Sequence, residues 1–321
     1  MNKLDTPSIG VNLLNYSVHK SSSVDNMKRL IFVWAVAILL LATISVSLAE
    51  ALPNRAAEVE ITPKISIKGP KARGKPLKQA TTGTLGEQLE GNKYAVVIGI
   101  SDYYGEANDI QYADDDALDM LDALTTKYGF SRQNILLLIS DYNTNNATRN
   151  EIIEAIKWLN NSAGDGDEVV FFYSGHGARG KANDGDKELV DEAIVPYECT
   201  ADSLIWDGEL AKMFSGFKTS RIIFIFDSCY AGGMTDLSGD GRVIAMACSE
   251  SGLSYEFSTF GNGQFTYYFV DQGILLGEAD IYDHIEGQPD VTVEEAFDYA
   301  KANCVYQTPT ISDLFTNDLL P

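Results

Sequence analysis

Five short apolar runs, each closed by polar or glycine-rich residues, constrain this chain more than any other feature. They are KYAVVIGIS (93–101), ILLLIS (135–140), EVVFFYS (168–174), RIIFIFDS (221–228) and RVIAMAC (242–248). Runs this short and this continuously apolar are the pattern of strands covered on both faces. Helical patterns lie between them. Residues 114–128 open with Asp114, Asp115 and Asp116 and carry Ala117, Met120, Leu121 and Leu124 as an apolar stripe. Thr148 and Glu151 have capping-box spacing for a helix running to Leu159. Further helices are expected over 208–217, near 264–275 and over 293–303, with a short last strand around 309–312. Alternating strands and helices predict an α/β chain: a three-layer α/β/α sandwich with a mainly parallel central sheet.

Three stretches differ in character. Residues 1–49 hold MKRLIFVWAVAILLLATISVSLA from Met27, with Lys28 and Arg29 before an apolar segment and Ser47-Leu48-Ala49 at a cleavage position. That is the pattern of a signal peptide, with translation starting at Met1 or at Met27. The 19 residues 30–48 would also span a membrane if left uncleaved. Either way the body is expected outside the cytoplasm, secreted or at the cell surface, and in contact with a membrane only through an uncleaved segment. Residues 50–91 read as a basic linker, rich in Lys, Gly, Pro and Thr, in which Lys64, Lys68, Lys71, Arg73, Lys75 and Lys78 recur. It is either a solvated spacer or a removable pro-segment lying on the body until cut. Residues 92–321 are the expected folded domain.

Charge follows the same division. The whole chain is at −22, yet residues 1–91 are at +4 and residues 92–321 at −26. Such a body repels phosphate backbones, which excludes nucleic-acid binding, and attracts cations and basic peptides. Four scattered cysteines (Cys199, Cys229, Cys248 and Cys304) build neither a disulfide scaffold nor a zinc site.

Two of the apolar runs end alike. EVVFFYSGHGARG sets His176 between glycines, and RIIFIFDSCYAGG sets Cys229 just ahead of Gly232 and Gly233. Ligands of open parallel sheets bind beyond the carboxyl ends of the strands. A thiol there is a nucleophile once an imidazole takes its proton, and glycine lets backbone N–H groups approach a developing oxyanion. Asp227 alternates with Cys229 along the strand, as Ser174 does with His176, so each pair faces one way. An aspartate beside the nucleophile favours a cationic substrate side chain. Cys248 reads as a core residue, and His284, in ADIYDHIEGQPD, as a solvated loop residue.

His176 lies 53 residues upstream of Cys229, the caspase order and spacing. YSGHG, DSCYAGG, the block VIAMACSESGLSYEFSTFGNGQFTYYFVDQG, the DEAIVP segment and the late QTPTI together resemble the caspase–metacaspase clan of cysteine peptidases. DSCYAG stands where animal caspases carry a QAC-type motif, so the likeness is closer to metacaspases and their prokaryotic relatives. The resemblance implies a caspase-like fold and a Cys229–His176 dyad, with the N–H groups of Gly177 and Cys229 holding the oxyanion. It also implies recognition of Arg or Lys at P1 through Asp227, Ser174 and Asp116, and so protein or peptide substrates with basic residues. The chemistry needs no cofactor. A calcium site is implied at Asp191, Asp207 and Asp236, although Gly208 follows Asp207 where paired aspartates are common. A monomer made as a zymogen is expected, with the linker, Arg179, Lys181, Lys218 and Arg221 as cleavage sites. Two other readings stay open: a peptidase or transpeptidase of the same clan acting after Asn or Asp, and a non-catalytic acidic binding domain.

Overall fold

The computed structural model describes residues 59–67, 78–182, 184, 190–288 and 290–321. The chain divides into Met1–Arg55 and Ala56–Pro321, and every described residue falls in the second unit. The expected export segment and Lys68, Lys71, Arg73 and Lys75 lie outside the described residues. Among the described residues no helix is long and apolar enough to cross a membrane.

The strands are β1 (Glu60–Thr62), β2 (Ile65–Ile67), β3 (Lys93–Ile100), β4 (Ile135–Asp141), β5 (Thr144–Asn145), β6 (Glu168–Ser174) and β7 (Gly177–Gly180). They continue as β8 (Asp191–Ile194), β9 (Ile205–Trp206), β10 (Ile222–Asp227), β11 (Arg242–Met246), β12 (Tyr255–Phe257), β13 (Asn262–Gly263) and β14 (Thr310–Asp313). The main helices are α1 (Ala113–Thr126), α2 (Arg149–Ser162), α3 (Asp207–Phe214) and α4 (Val293–Asn303).

A seven-stranded sheet in the order β14-β11-β10-β6-β3-β4-β5 forms the middle layer. Its five inner strands are parallel, and β14 and β5 run antiparallel at the edges. Side chains alternate along each strand into two apolar cores, one on either face. Val96, Ile98, Phe171, Phe224 and Phe226 face α2 and α3, which contribute Ile152, Ile156, Leu159, Leu210 and Phe214. Val97, Val170, Phe172, Ile223 and Ile225 face α1 and α4, which contribute Met120, Leu124, Val293, Ala296 and Phe297. This is the expected three-layer sandwich. The capping box at Thr148 and Glu151 forms as expected, and a second, Thr292 with Glu295, opens α4.

Two regions differ from expectation. The helical pattern near 264–275 is one α turn followed by a π-helix, Tyr267–Leu275. The linker is not wholly a spacer: β1 pairs antiparallel with β7, and β2 pairs parallel with β12. Their apolar alternation, Val59 with Ile61 and Ile65 with Ile67, is only two residues long at each strand and too short to announce either one.

Arg221 ties both ends of the domain to the sheet. It donates to Glu168 at 2.6 Å, to the carbonyl of Glu87 at 2.7 Å and to that of Leu320 at 2.8 Å. Expected as a cleavage site, it is instead committed to these acceptors. Burial pushes the Glu168 carboxyl up against the pull of this partner, so Arg221→Met should cost about 3 kcal/mol in urea unfolding, the scale for stranding one half of a buried pair. A variant within 0.5 kcal/mol of the parent, by the same ~3 kcal/mol standard, would show the clamp to be dispensable.

Candidate active site

The chain steps from β3 outward to β4, then crosses back to β6 on the other side and continues to β10 and β11. Strand order therefore reverses between β3 and β6, where a crevice opens at the carboxyl ends. The residues singled out from the sequence converge there. β6 and β10 are paired in parallel with Ser174 opposite Asp227, so His176 and Cys229 leave neighbouring strands two residues beyond that pair. Their loops pack so closely that a Cβ on Gly177 would collide with the carbonyl group of Cys229. Only glycine fits at 177, which brings together the backbones expected to hold an oxyanion.

His176 is fixed on every side. Its ring stacks on Tyr103 at 4.1 Å between centroids and 2° between planes, and its N–H donates to the Tyr103 hydroxyl at 2.7 Å. The Tyr173 hydroxyl bonds the His176 carbonyl at 2.7 Å. Nε2 lies 2.6 Å from the carbonyl of Asn108. A carbonyl only accepts, so Nε2 carries the proton and Nδ1 is the basic nitrogen. That Nδ1 is buried and has no hydrogen-bond partner among the described residues. The residue after the cysteine, Tyr230, sits at φ +62°, a left-handed conformation unusual for a tyrosine that turns the chain sharply past the sulfur.

Beside this pair lies a small, fully buried pocket of charge. Asp116, Ser174 and Asp227 line it, and into it runs Lys64, only 4% exposed. The lysine Nζ lies 3.1 Å from Asp116, 3.1 Å from Asp227 and 2.7 Å from the Ser174 hydroxyl. Ser254 and Thr266 donate to Asp227 at 2.6 and 2.8 Å, and the Gly263 N–H donates to Asp116 at 2.8 Å. A Cβ on Gly263 would stand 2.8 Å from both the Lys64 Nζ and an Asp116 oxygen, inside the pocket itself. Burial lifts the Asp116 carboxyl to about 7, against the pull of Lys64. Burial also works against the Lys64 ammonium, but Asp227, Asp116 and Glu256 outweigh it and its pKa rises.

The strand carrying Lys64 covers the thiol as well. Glu60 pairs with Arg179 at 2.9 Å, Thr62 bonds the Tyr230 hydroxyl at 2.9 Å, and the Cys229 Sγ donates to the carbonyl of Pro63 at 3.5 Å. With water excluded, burial pushes the Cys229 thiol up to about 11 and the His176 imidazole down to about 4. Both are neutral at ordinary pH. A thiol and a free imidazole nitrogen in this crevice have the parts for acyl transfer, but the covered pair keeps its proton on sulfur.

Residues 93–238 match the profile described as the metacaspase, peptidase C14 domain. The Metacaspase-1 proteins of Meyerozyma guilliermondii and Saccharomyces cerevisiae are each 34% identical to the chain, over 152 and 155 residues. These matches cover 46% and 47% of this chain, and 37% and 36% of those proteins. Metacaspase-1 of Schizosaccharomyces pombe is 31% identical over 153 residues, 46% of this chain and 36% of its own. The chain thus spans little more than a third of the curated relatives it matches. Residues 93–238 are thus similar to a metacaspase peptidase domain. A solved structure of a Geobacter sulfurreducens protein shares the chain's fold, with a TM-score of 0.51 at 18% identity, over 71% of this chain and 95% of that one.

Elsewhere, Asp191 and Asp207 come together as expected, but among the described residues the third carboxylate within 4.8 Å is Asp184, not Asp236. Burial raises the Asp207 carboxyl to about 8, and the charge of Asp236 adds to that rise. That Asp184 lies beside Asp191 and Asp207 is a proximity that sequence order alone does not convey. His284 is not solvated: its side chain is 2% exposed, within 3.4–3.9 Å of Asp290, Glu295 and Asp318. Glu295 accepts from the N–H groups of Ile281 and Tyr282 and folds the loop over it. Cys248 is in the core as expected.

Two outcomes follow from this geometry. At pH 8 a thiol titrating at about 11 is roughly one part in a thousand thiolate, against about a quarter for an unperturbed one. Iodoacetamide should therefore alkylate Cys229 of the native chain at least tenfold more slowly than the urea-unfolded chain, with the rate climbing as pH rises towards 11. Equal rates at pH 8 would refute the covered thiol. Gly263→Ala should expel Lys64, so that trypsin cuts after it at least tenfold faster; unchanged protection, read by mass spectrometry, would mean the lysine is held elsewhere.

Proposed function

We propose that the chain is an exported cysteine endopeptidase that hydrolyses peptide bonds after Arg or Lys, with Cys229 as nucleophile and His176 as acid and base. The observation that carries this reading is the ammonium of Lys64 held by Asp116, Asp227 and Ser174 beside the thiol. A pocket with two buried carboxylates accepts a cationic side chain and rejects an aspartate, and it gains nothing from a neutral asparagine. The similarity of residues 93–238 to a metacaspase peptidase domain supports the peptidase class.

In this reaction the Nδ1 of His176 takes the thiol proton, and sulfur attacks the carbonyl carbon of the P1 residue. The N–H groups of Gly177 and Cys229 receive the oxyanion. His176 then hands the proton to the leaving amine as the C–N bond breaks, and water hydrolyses the thioester, restoring the thiol. All these groups come from one chain, so a monomer suffices. Covering strand β1–β2 supports synthesis as a zymogen. Once it is lifted, readmitted water lowers the thiol pKa and raises that of the imidazole, towards an ion pair.

Calcium is a further part of the proposal. Asp184, Asp191 and Asp207 fit a hard cation because they are carboxylates converging within 4.8 Å, and Asp207 is already raised by burial without one. The cation would tie Asp184 to Asp191 and Asp207 and would favour the charged form of Asp207. Export rests on the apolar segment after Lys28 and Arg29.

The test is turnover of fluorogenic peptides with Arg, Lys, Asn or Asp at P1 by the full chain and by Cys229→Ala, with and without calcium. Arg and Lys peptides should be cut at least a hundredfold faster than Asp, faster still with calcium, and not at all by the variant. Turnover of the Asp or Asn peptide alone would overturn the pocket assignment. Equal rates in the variant would remove the nucleophile.

A further inference from the structure

Resting on the basic-pocket reading above, the direction of the covering strand has a consequence for its fate. A strand can present one basic side chain to this pocket while running either way along β12. Turning it end for end about that side chain exchanges the two peptide groups that flank the residue. Hydrolysis after a basic residue requires that residue's own carbonyl carbon at the sulfur, about 3–3.5 Å away. The carbonyl that meets the sulfur is that of Pro63, the residue before the lysine, whose oxygen accepts from Sγ at 3.5 Å. The peptide group after Lys64 is drawn instead to the β12 edge. The N–H of Ile65 donates to the carbonyl of Ser254 at 3.0 Å, and β2 continues parallel to β12, with Ile65, Ser66 and Ile67 opposite Tyr255, Glu256 and Phe257.

Neither neighbouring bond is posed for hydrolysis. The Lys64–Ile65 amide, whose cleavage would leave lysine at P1, has its N–H locked in a strand ladder. The Pro63–Lys64 bond would need proline at P1 with the basic pocket filled from the leaving-group side. Upstream, β1 is held by its pairing with β7, by Glu60 on Arg179 and by Thr62 on Tyr230, so the strand cannot slide by a residue without breaking all three.

We propose that residues 60–67 bind this cleft backwards, as an inhibitory strand that fills the basic pocket without being cut by its own enzyme. The inhibitory ligand class is an extended peptide with a single basic residue directly after proline, running parallel to β12. Substrates run the other way, antiparallel to β12, which sets the P1 carbonyl where that of Pro63 now stands and the P1 N–H on the carbonyl of Ser254. Release therefore requires a cut outside the segment or its displacement, not attack at Lys64.

The experiment compares the full chain with Lys64→Ala and with Lys64→Met, which keeps the apolar stem, on an Arg reporter peptide, and follows the intact mass of the full chain over the same hours. Both variants should be at least tenfold faster than the parent, while the parent's Lys64–Ile65 bond stays intact. Cleavage after Lys64 at a rate independent of protein concentration, with a matching rise in activity, would overturn the reversed register. Variants no faster than an active parent would overturn the inhibitory role. Absence of Cys229-dependent turnover in all three chains would be a different failure, that of the peptidase reading itself, and would take this inference with it.

Discussion

The parallel pairing of β6 with β10, in the register that sets Ser174 against Asp227, is the constraint on which the rest of the site depends. Strand alternation then places the two polar side chains in one pocket, and the same register delivers His176 and Cys229 to neighbouring loops. Because the side-chain period of a strand is two, a slip of one residue would turn Asp227 into the apolar core and a phenylalanine into the pocket. The pairing is held by the layers above and below, where Phe171, Phe224 and Phe226 pack on α3 and Val170, Phe172 and Ile225 pack towards α1 and α4. The apolar sandwich thus fixes the positions of the charged groups.

Those charged groups are costly to bury, and the structure shows how the cost is met. Asp227 accepts from Ser254 and from Thr266, Asp116 accepts from Ser174 and Gly263, and Lys64 adds the missing positive charge. With the lysine removed, two buried carboxylates face each other and one must take up a proton or admit water. The pocket is therefore built for a cation, and Lys64 supplies it. The same covering strand keeps water from Cys229 and His176, which couples occupation of the pocket to the protonation state of the pair.

Much of this was legible in the sequence. The five buried strands, the helices between them and the two glycine-flanked strand ends follow from periodicity and turn chemistry. So does the grouping of Asp227 with Cys229 and of Ser174 with His176. Lys64 was visible only as one of six basic residues in a linker, because the apolar alternation on either side of it breaks off after two residues. Tyr103, Asn108 and Gly263 were missed for a related reason: Tyr103 acts through stacking and a hydroxyl, Asn108 through its backbone carbonyl, and Gly263 through the absence of a side chain. None of these has a residue-type signature. His284 sat in an acidic loop whose folding over it depends on Glu295, eleven residues later.

What the sequence determined by itself was local: which segments are apolar enough to be buried, where they stop, and which reactive side chains stand at the stops. Its charge division also foretold an acidic body with a basic stretch ahead of it. Tertiary structure alone decided that Lys64, of all the basic residues, enters the pocket, that Asp184 rather than Asp236 joins Asp191 and Asp207, and in which direction the covering strand runs. These are questions of which distant segments meet and with what polarity. The hydrophobic pattern that encodes burial carries no information about the direction of an edge strand, since backbone N–H and C=O groups pair in either sense.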